Sequence, residues 1–156
     1  MQLRQGCRQF WLVLPVLAID RASKLAVLKL LVHGPKEAIP GVLSWAFVKN
    51  RGAAFGMMSG SWLLPLLTAA LIALLLIWLL RHPDESALMR ASIWLIIGGG
   101  LGNLYDRIAY GFVVDFIRLD FINFAVFNAA DVFICAGAAL AAIAVLAAEA
   151  RRTKHG

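Results

Sequence analysis

The sequence is short of charge. Asp, Glu, Lys and Arg make up 15% of its 156 residues, against about 25% in an average soluble domain. That scarcity excludes intrinsic disorder, which needs a polar, charge-rich chain. Cysteine is scarce too: Cys7 and Cys135 are the two present. One lies near the N-terminus and the other in an apolar run, so no disulfide is expected. Cys135 reads as a small buried apolar residue, and neither cysteine has metal-ligand spacing. The three histidines, His33, His82 and His155, all fall outside the interiors of the apolar runs. No Gly-rich phosphate loop, HExxH or CxxC occurs, so neither a metal nor a cofactor is expected. Ser23 and Lys24 are adjacent, and adjacent helical residues do not face each other, which argues against a Ser/Lys dyad. No internal repeat of useful length is visible, which weakens an inverted-repeat transporter reading.

What the chain has in excess is apolar surface. AVILMFWYC residues are 62% of it, with a mean hydropathy of +0.80. A compact soluble fold of this size has no interior large enough to hide that much, so the solvent for most of the chain is a bilayer. A helix needs about 20 apolar residues to cross one. Four runs qualify, at about 10–32, 62–80, 88–108 and 126–148. The second is the cleanest, with Pro65 in its first turn, where a missing N–H costs little. The first is broken by Asp20, Arg21, Lys24 and Lys29. A secretory signal would have a short apolar core and a small-residue cleavage site; here a charge cluster is followed by more apolar helix, so a retained helix is expected. The net charge of +6 reads as flanking basic residues rather than as a nucleic-acid footprint. Arg4, Arg8, Arg81, Arg90, Arg151, Arg152 and Lys154 fall on one side of a four-span chain, which the positive-inside rule makes cytoplasmic.

The fold class expected is therefore an all-α membrane protein, one domain over 1–156, with four transmembrane helices. A small extracytoplasmic β-structure is expected between helices 1 and 2, within 33–61. There Val42-Leu43-Ser44-Trp45-Ala46-Phe47-Val48 is β-prone and bounded by turn residues, predicting one or two short strands. Gly52 and Gly56 beyond it suit unusual backbone geometry.

Ionisable groups inside spans are costly and mark function by default. Asp20 and Lys24, four residues apart, share a helix face; they read either as an orienting ion pair or as support for a site. Arg21 lies on another face and receives no role. Gly98 and Gly102 have the spacing that lets helices approach closely. Asn103, Asp106 and Arg107 form one polar set near the outer end of the third span. Among the acids, Asp106 has Arg107 beside it and Asp120 has Arg118 near it. Asp115 and Asp131 have apolar neighbours and no local cation, and both lie at the outer boundary. Two carboxylates forced together share a proton, so one can act as base toward water and the other as acid toward a carbonyl oxygen.

Five strings then act together: Asp20-Arg21-Ala22-Ser23-Lys24; Asn50-Arg51-Gly52-Ala53-Ala54-Phe55-Gly56; Gly99-Gly100-Leu101-Gly102-Asn103-Leu104-Tyr105-Asp106-Arg107; Val114-Asp115-Phe116-Ile117; and Phe127-Asn128-Ala129-Ala130-Asp131. In this order, on a four-span chain of this length, they resemble the lipoprotein signal peptidase (signal peptidase II) family. The resemblance covers nearly the whole chain, with no departure at a motif position. It implies a bacterial inner-membrane aspartic endopeptidase that cuts diacylglyceryl-modified prolipoproteins just before the lipidated cysteine. Asp115 and Asp131 would be its catalytic pair. Asp20, Lys24, Asn50, Gly52, Asn103, Asp106, Arg107 and Asn128 would be supporting or substrate-binding residues, with Lys24, Asn103 and Arg107 candidates to hold peptide carbonyls. The expected partners are prolipoprotein and membrane lipid, not nucleic acid, and a monomer is expected. The competing reading is a small four-helix transporter or channel subunit, for which the deeper Asp20 is the best argument. Reporter fusions at Lys36 and Gly156 should read opposite sides of the membrane, with Gly156 cytoplasmic; fusions reporting one compartment would make the four-span count wrong.

Overall fold

The computed structural model describes residues 9–31, 34–52 and 62–153. Readings that fall on Arg4, Cys7, Arg8, His33, Ala53, Ala54, Phe55, Gly56, Lys154, His155 and Gly156 lie outside the described residues. A single 3-10 turn at Phe10–Leu12 leads into α1, Val13–Leu30. Strands β1, Lys36–Ile39, and β2, Leu43–Asn50, follow. Helix α2 covers Leu63–Arg81 and α3 covers Ala87–Tyr110. Strand β3, Val113–Leu119, precedes α4, Ala129–Thr153.

Helices α2, α3 and α4 are long and apolar enough to cross a membrane, by length and composition. Helix α1 carries more charge, yet its Asp20 and Lys24 are buried in the protein, which spares them contact with lipid. Helix α3 is central and packs against the other three. Its ends are set locally. The Ser86 hydroxyl accepts the Met89 N–H at 3.1 Å as an N-cap, and Gly111 ends it with φ 73°, a left-handed conformation that glycine takes without strain.

The sheet has the order β1-β2-β3, all antiparallel. The segment 33–61 therefore supplies two strands, as its composition predicts, and the third comes from beyond α3, in the short stretch before the fourth run. Its sequence, Val113-Val114-Asp115-Phe116-Ile117-Arg118-Leu119, is rich in β-branched and aromatic residues, the signal that marks it as a strand. Val27 of α1 and Leu31 just beyond it pack with Val114 and Phe116, seating the sheet on the end of α1. Ser44 donates to Asp120, which also takes the Arg118 Nε at 2.7 Å, closing the far end of β3.

Two expectations are corrected. Helix α4 begins at Ala129 rather than near 126, because Phe127 bridges to Ile117 of β3 before the helix can start. Cys135 is exposed rather than buried; Ala130, Gly137 and Ala144 supply the buried face of α4, and Cys135 points away from it. An apolar side chain facing lipid pays no penalty there.

The helices approach where side chains are missing. A Cβ on Gly98 would meet Val16 at 2.9 Å, and one on Gly99 would meet the Ala130 carbonyl oxygen at 2.5 Å. The second contact is with backbone, which has no rotamer to change. Gly99→Ala should push α3 from α4 and cost about 1–3 kcal/mol, read as a lower melting temperature in detergent; an unchanged melting temperature would refute the close-approach account.

Candidate active site

The site lies where β3, the C-terminal half of α3, α1 and the start of α4 meet. Asp115 comes from β3, opposite Val48 of β2. Its backbone is pinned from below: Asp106 Oδ2 accepts the Val114 N–H at 3.1 Å. Asp131 comes from the first turn of α4, nearer the helix start than its span boundary predicts. The N-terminal turn is closed reciprocally. Asn128 Oδ1 accepts the Asp131 N–H at 3.1 Å, and Asp131 Oδ2 accepts the Asn128 N–H at 3.0 Å. That is a capping box with Asn and Asp in place of the usual Ser and Glu.

Asn128 also reaches the other acid. Its Nδ2 donates to Asp115 Oδ1 at 2.6 Å and to Asn103 Oδ1 at 3.1 Å. One residue thus holds both carboxylates. Each acid has a second amide donor. Asn50 Nδ2 donates to Asp115 Oδ2 at 2.8 Å, and Asn103 Nδ2 donates to Asp131 Oδ1 at 2.7 Å. Asn50 is itself set by an Asx turn, its Oδ1 accepting the Gly52 N–H at 3.0 Å. The Gly52 carbonyl accepts Arg107 Nη2 at 3.4 Å, so Arg107 ties the strand end to α3. Burial pushes the Asp115 carboxyl up to about 6, against the pull of Asn50 and Asn128, and the nearby Asp131 adds to the rise.

Beneath the pair lies an ion cluster. Lys24 Nζ is 2.9 Å from Asp20 Oδ1 and 2.9 Å from Asp106 Oδ2, and donates to Asn103 Oδ1 at 3.0 Å. The Arg21 guanidinium contacts Asp106 Oδ1 at 2.6 Å and lies over the Tyr105 ring, 4.7 Å from its centroid. Two sequence readings change here. Asp106 is neutralised by Arg21 and Lys24 of α1, not by its neighbour Arg107; successive helical residues diverge, whereas α1 faces α3 directly. Lys24 is fully buried with its ammonium committed to three side chains, so it positions Asn103 and leaves peptide carbonyls to other donors. Arg21, which had no role, is the residue that sequence spacing missed. Its partner lies 85 positions away, beyond any local pattern.

Four carboxylates, Asp20, Asp106, Asp115 and Asp131, thus meet three cations, Lys24, Arg21 and Arg107. One proton shared by Asp115 and Asp131 brings the sum to zero, the state a low-dielectric site favours. Among the described residues no group of three His, Cys, Asp or Glu is arranged to hold a metal. A cavity of about 270 Å³ runs between α2, α3 and α4, walled by Leu67, Thr68, Leu71 and Ile134 and ending at Asn103 and Arg107. A larger one, of about 440 Å³, lies between α1 and α3 over Asp20 and Arg21; neither cavity is lined by Asp115 or Asp131.

The chain is similar to several known proteins. A profile of the family described as Signal peptidase (SPase) II matches residues 12–147. A Lipoprotein signal peptidase of Streptococcus agalactiae serotype Ia is 41% identical over 124 residues, 78% of this chain and 80% of that one. A Lipoprotein signal peptidase of Pseudoalteromonas translucida is 40% identical over 144 residues, 88% of this chain and 87% of that one. A bacterial membrane enzyme solved by the in meso method at 2.3 Å superposes with a TM-score of 0.82 at 29% identity, covering 89% of this chain and 87% of that one. The ion cluster yields a test of its own. Lys24→Met leaves Asp20 and Asp106 buried with one fewer cation and should cost about 3–5 kcal/mol; thermal unfolding in detergent measures it, and a loss below about 1 kcal/mol would mean the cluster does not hold the fold.

Proposed function

The chain belongs to the signal peptidase II family, and from that premise we propose that Asp115 and Asp131 are the catalytic pair of its lipoprotein signal peptidase activity. That activity is an aspartic protease's: it processes prolipoproteins within the membrane. The observation that supports the assignment is Asn128, which donates its side chain to one carboxylate and its backbone N–H to the other. Two acids bracketed this way share one water, activate it, and protonate the peptide as its bond breaks. Asp20, the argument for a transporter, is absorbed by Lys24, which favours the protease reading.

The substrate is a diacylated prolipoprotein, cut before its lipidated cysteine. Its apolar signal segment enters sideways from the bilayer along the cavity between α2, α3 and α4, whose outer wall includes the exposed Leu67 and Leu71. The acyl chains stay in lipid, each buried CH₂ contributing about 0.8 kcal/mol to retention. Arg107, at the end of that cavity, is the donor placed to meet peptide carbonyls. The enzyme works at the outer face of the bacterial inner membrane, with both termini cytoplasmic.

Cleavage of a diacylated prolipoprotein in nanodiscs tests this. Asp115→Asn and Asp131→Asn should each lower turnover by about 10²-fold or more while melting like the parent. The unmodified prolipoprotein should be cut far more slowly by the parent enzyme. Normal turnover in a folded Asp131→Asn protein would sink the pair, and equal rates on both substrates would sink the lipid requirement.

A further inference from the structure

We propose that the two carboxylates are unequal: Asp115 holds the proton of the resting pair and acts as the acid, while Asp131 is the anion and acts as the base. The proposal rests on the reading of Asp115 and Asp131 as the catalytic pair and assigns the role of each.

Three features of the geometry separate them. The first is the helix. Asp131 lies in the first turn of α4 and closes the reciprocal cap with Asn128. Unpaired backbone N–H groups and the helix dipole make that position favourable for negative charge. Asp115 sits on a strand, where no such dipole exists.

The second is the character of the donors. Asn103 donates to Asp131 while its own oxygen accepts the Lys24 ammonium and the Asn128 amide. A cation on the amide oxygen polarises the group and strengthens its N–H as a donor. Asp131 thereby receives part of the Lys24 charge through one amide. The donors to Asp115, Asn50 and Asn128, have their oxygens on the neutral N–H groups of Gly52 and Asp131.

The third is exposure. Asp115 is 2% exposed, whereas Asp131 is half-buried. Desolvation therefore penalises a charge on Asp115 more than one on Asp131. The remaining charged groups do not reverse this order. Asp115 is faced by Asp131 from α4, Lys24 from α1 and Arg107 from α3. Lys24 is already shared by Asp20 and Asp106. Arg107 faces both acids, Asp115 the more strongly, and spends its hydrogen bonds on the Asn103 and Gly52 carbonyls.

The cycle then balances. The water oxygen adds to the scissile carbonyl carbon, and its proton passes to Asp131. The Asp115 proton passes to the carbonyl oxygen, giving a neutral gem-diol. In collapse, Asp131 returns its proton to the amide nitrogen, the C–N bond breaks, and Asp115 takes a proton from one hydroxyl. The products are a carboxylic acid and a free amine, and the pair is back in its starting state. The base must be ionised and the acid protonated, so activity falls on the alkaline side where Asp115, whose carboxyl burial pushes up, loses its proton, and on the acid side where the base takes one.

Infrared difference spectroscopy on the purified enzyme tests the assignment without needing turnover. The carbonyl stretch of a protonated, buried carboxyl should be present at the pH of activity. It should vanish in Asp115→Asn, where the remaining Asp131 is ionised, and persist in Asp131→Asn. The reverse pattern, or no such band in the parent, overturns the proposal. A kinetic arm uses Asn50→Ala, which removes a donor to Asp115. The alkaline limb of the kcat profile should move up by about one pH unit with the acid limb unmoved. Movement of the acid limb, or of neither, counts against the assignment. If both Asp→Asn proteins still cleave, the catalytic pair is wrong. If both are inactive and the band survives in Asp115→Asn, only the division of roles is wrong.

Discussion

The ammonium of Lys24 is the group on which the rest of the structure turns. It is fully buried among apolar helices, a position that is untenable for an unpaired cation. Its solution is to sit between Asp20 on its own helix and Asp106 on α3, with Asn103 as the third partner. Each partner then has a second task. Asp106 uses the same carboxylate to hold the Val114 N–H and so fixes the strand that carries Asp115. Asn103 turns its amide toward Asp131. The charge that makes α1 a poor membrane helix is therefore the charge that orders both acids. Arg21 completes the cluster on the side facing Tyr105, where its guanidinium covers the remaining oxygen of Asp106.

Such a cluster needs helices close enough for short side chains to meet. Glycine supplies that. A Cβ on Gly102 would lie 2.5 Å from Asp20 Oδ2, so the Asp20 carboxylate rests almost on the backbone of α3. Gly98 and Gly99 make the same accommodation for α1 and α4. In lipid, where apolar contact between helices gains nothing over contact with acyl chains, close backbone approach and buried polar pairing are the forces that hold helices together. The glycine run and the ion cluster are one device, because the first sets the distance that the second requires.

Much of this was legible in the sequence, and the boundary of legibility is physical. Spans can be read from run length, since the bilayer sets a minimum, and the four predicted runs lie within a few residues of the helices observed. Asp115 and Asp131 could be singled out because their neighbours offer no counter-charge; the structure shows that their partners are neutral amides, Asn50, Asn103 and Asn128. What could not be read was long-range pairing. Arg21 meets Asp106 across 85 positions, and β2 meets β3 across a similar gap. Only the composition of 113–119 hinted at a strand, and its proximity to a span boundary concealed it. Phe127 looked like the start of a helix because an apolar residue before a span reads as part of it, whereas its backbone is claimed by Ile117.

The position of the acid pair follows from what each kind of element can offer. A transmembrane helix spends its backbone N–H groups internally, so a carboxylate along its length must be met by other side chains, as Asp20 and Asp106 are. A helix start has free N–H groups, and Asp131 takes one from Asn128. A strand presents its side chains outward while the ladder satisfies its backbone, which lets Asp115 lie in an apolar setting and still be reached by Asn50 from β2 and Asn128 from the helix start. The two acids meet at the seam between sheet and bundle because there, among the described residues, a strand side chain faces a helix N-terminus. The Phe127–Ile117 bridge keeps that seam closed, with Ile117 and Phe127 exchanging N–H···O bonds of 2.8 and 3.1 Å. The sheet is thus what converts a charged membrane bundle into a site with two differently held carboxylates: it contributes the one acid that no helix dipole supports, beside one that a helix dipole does.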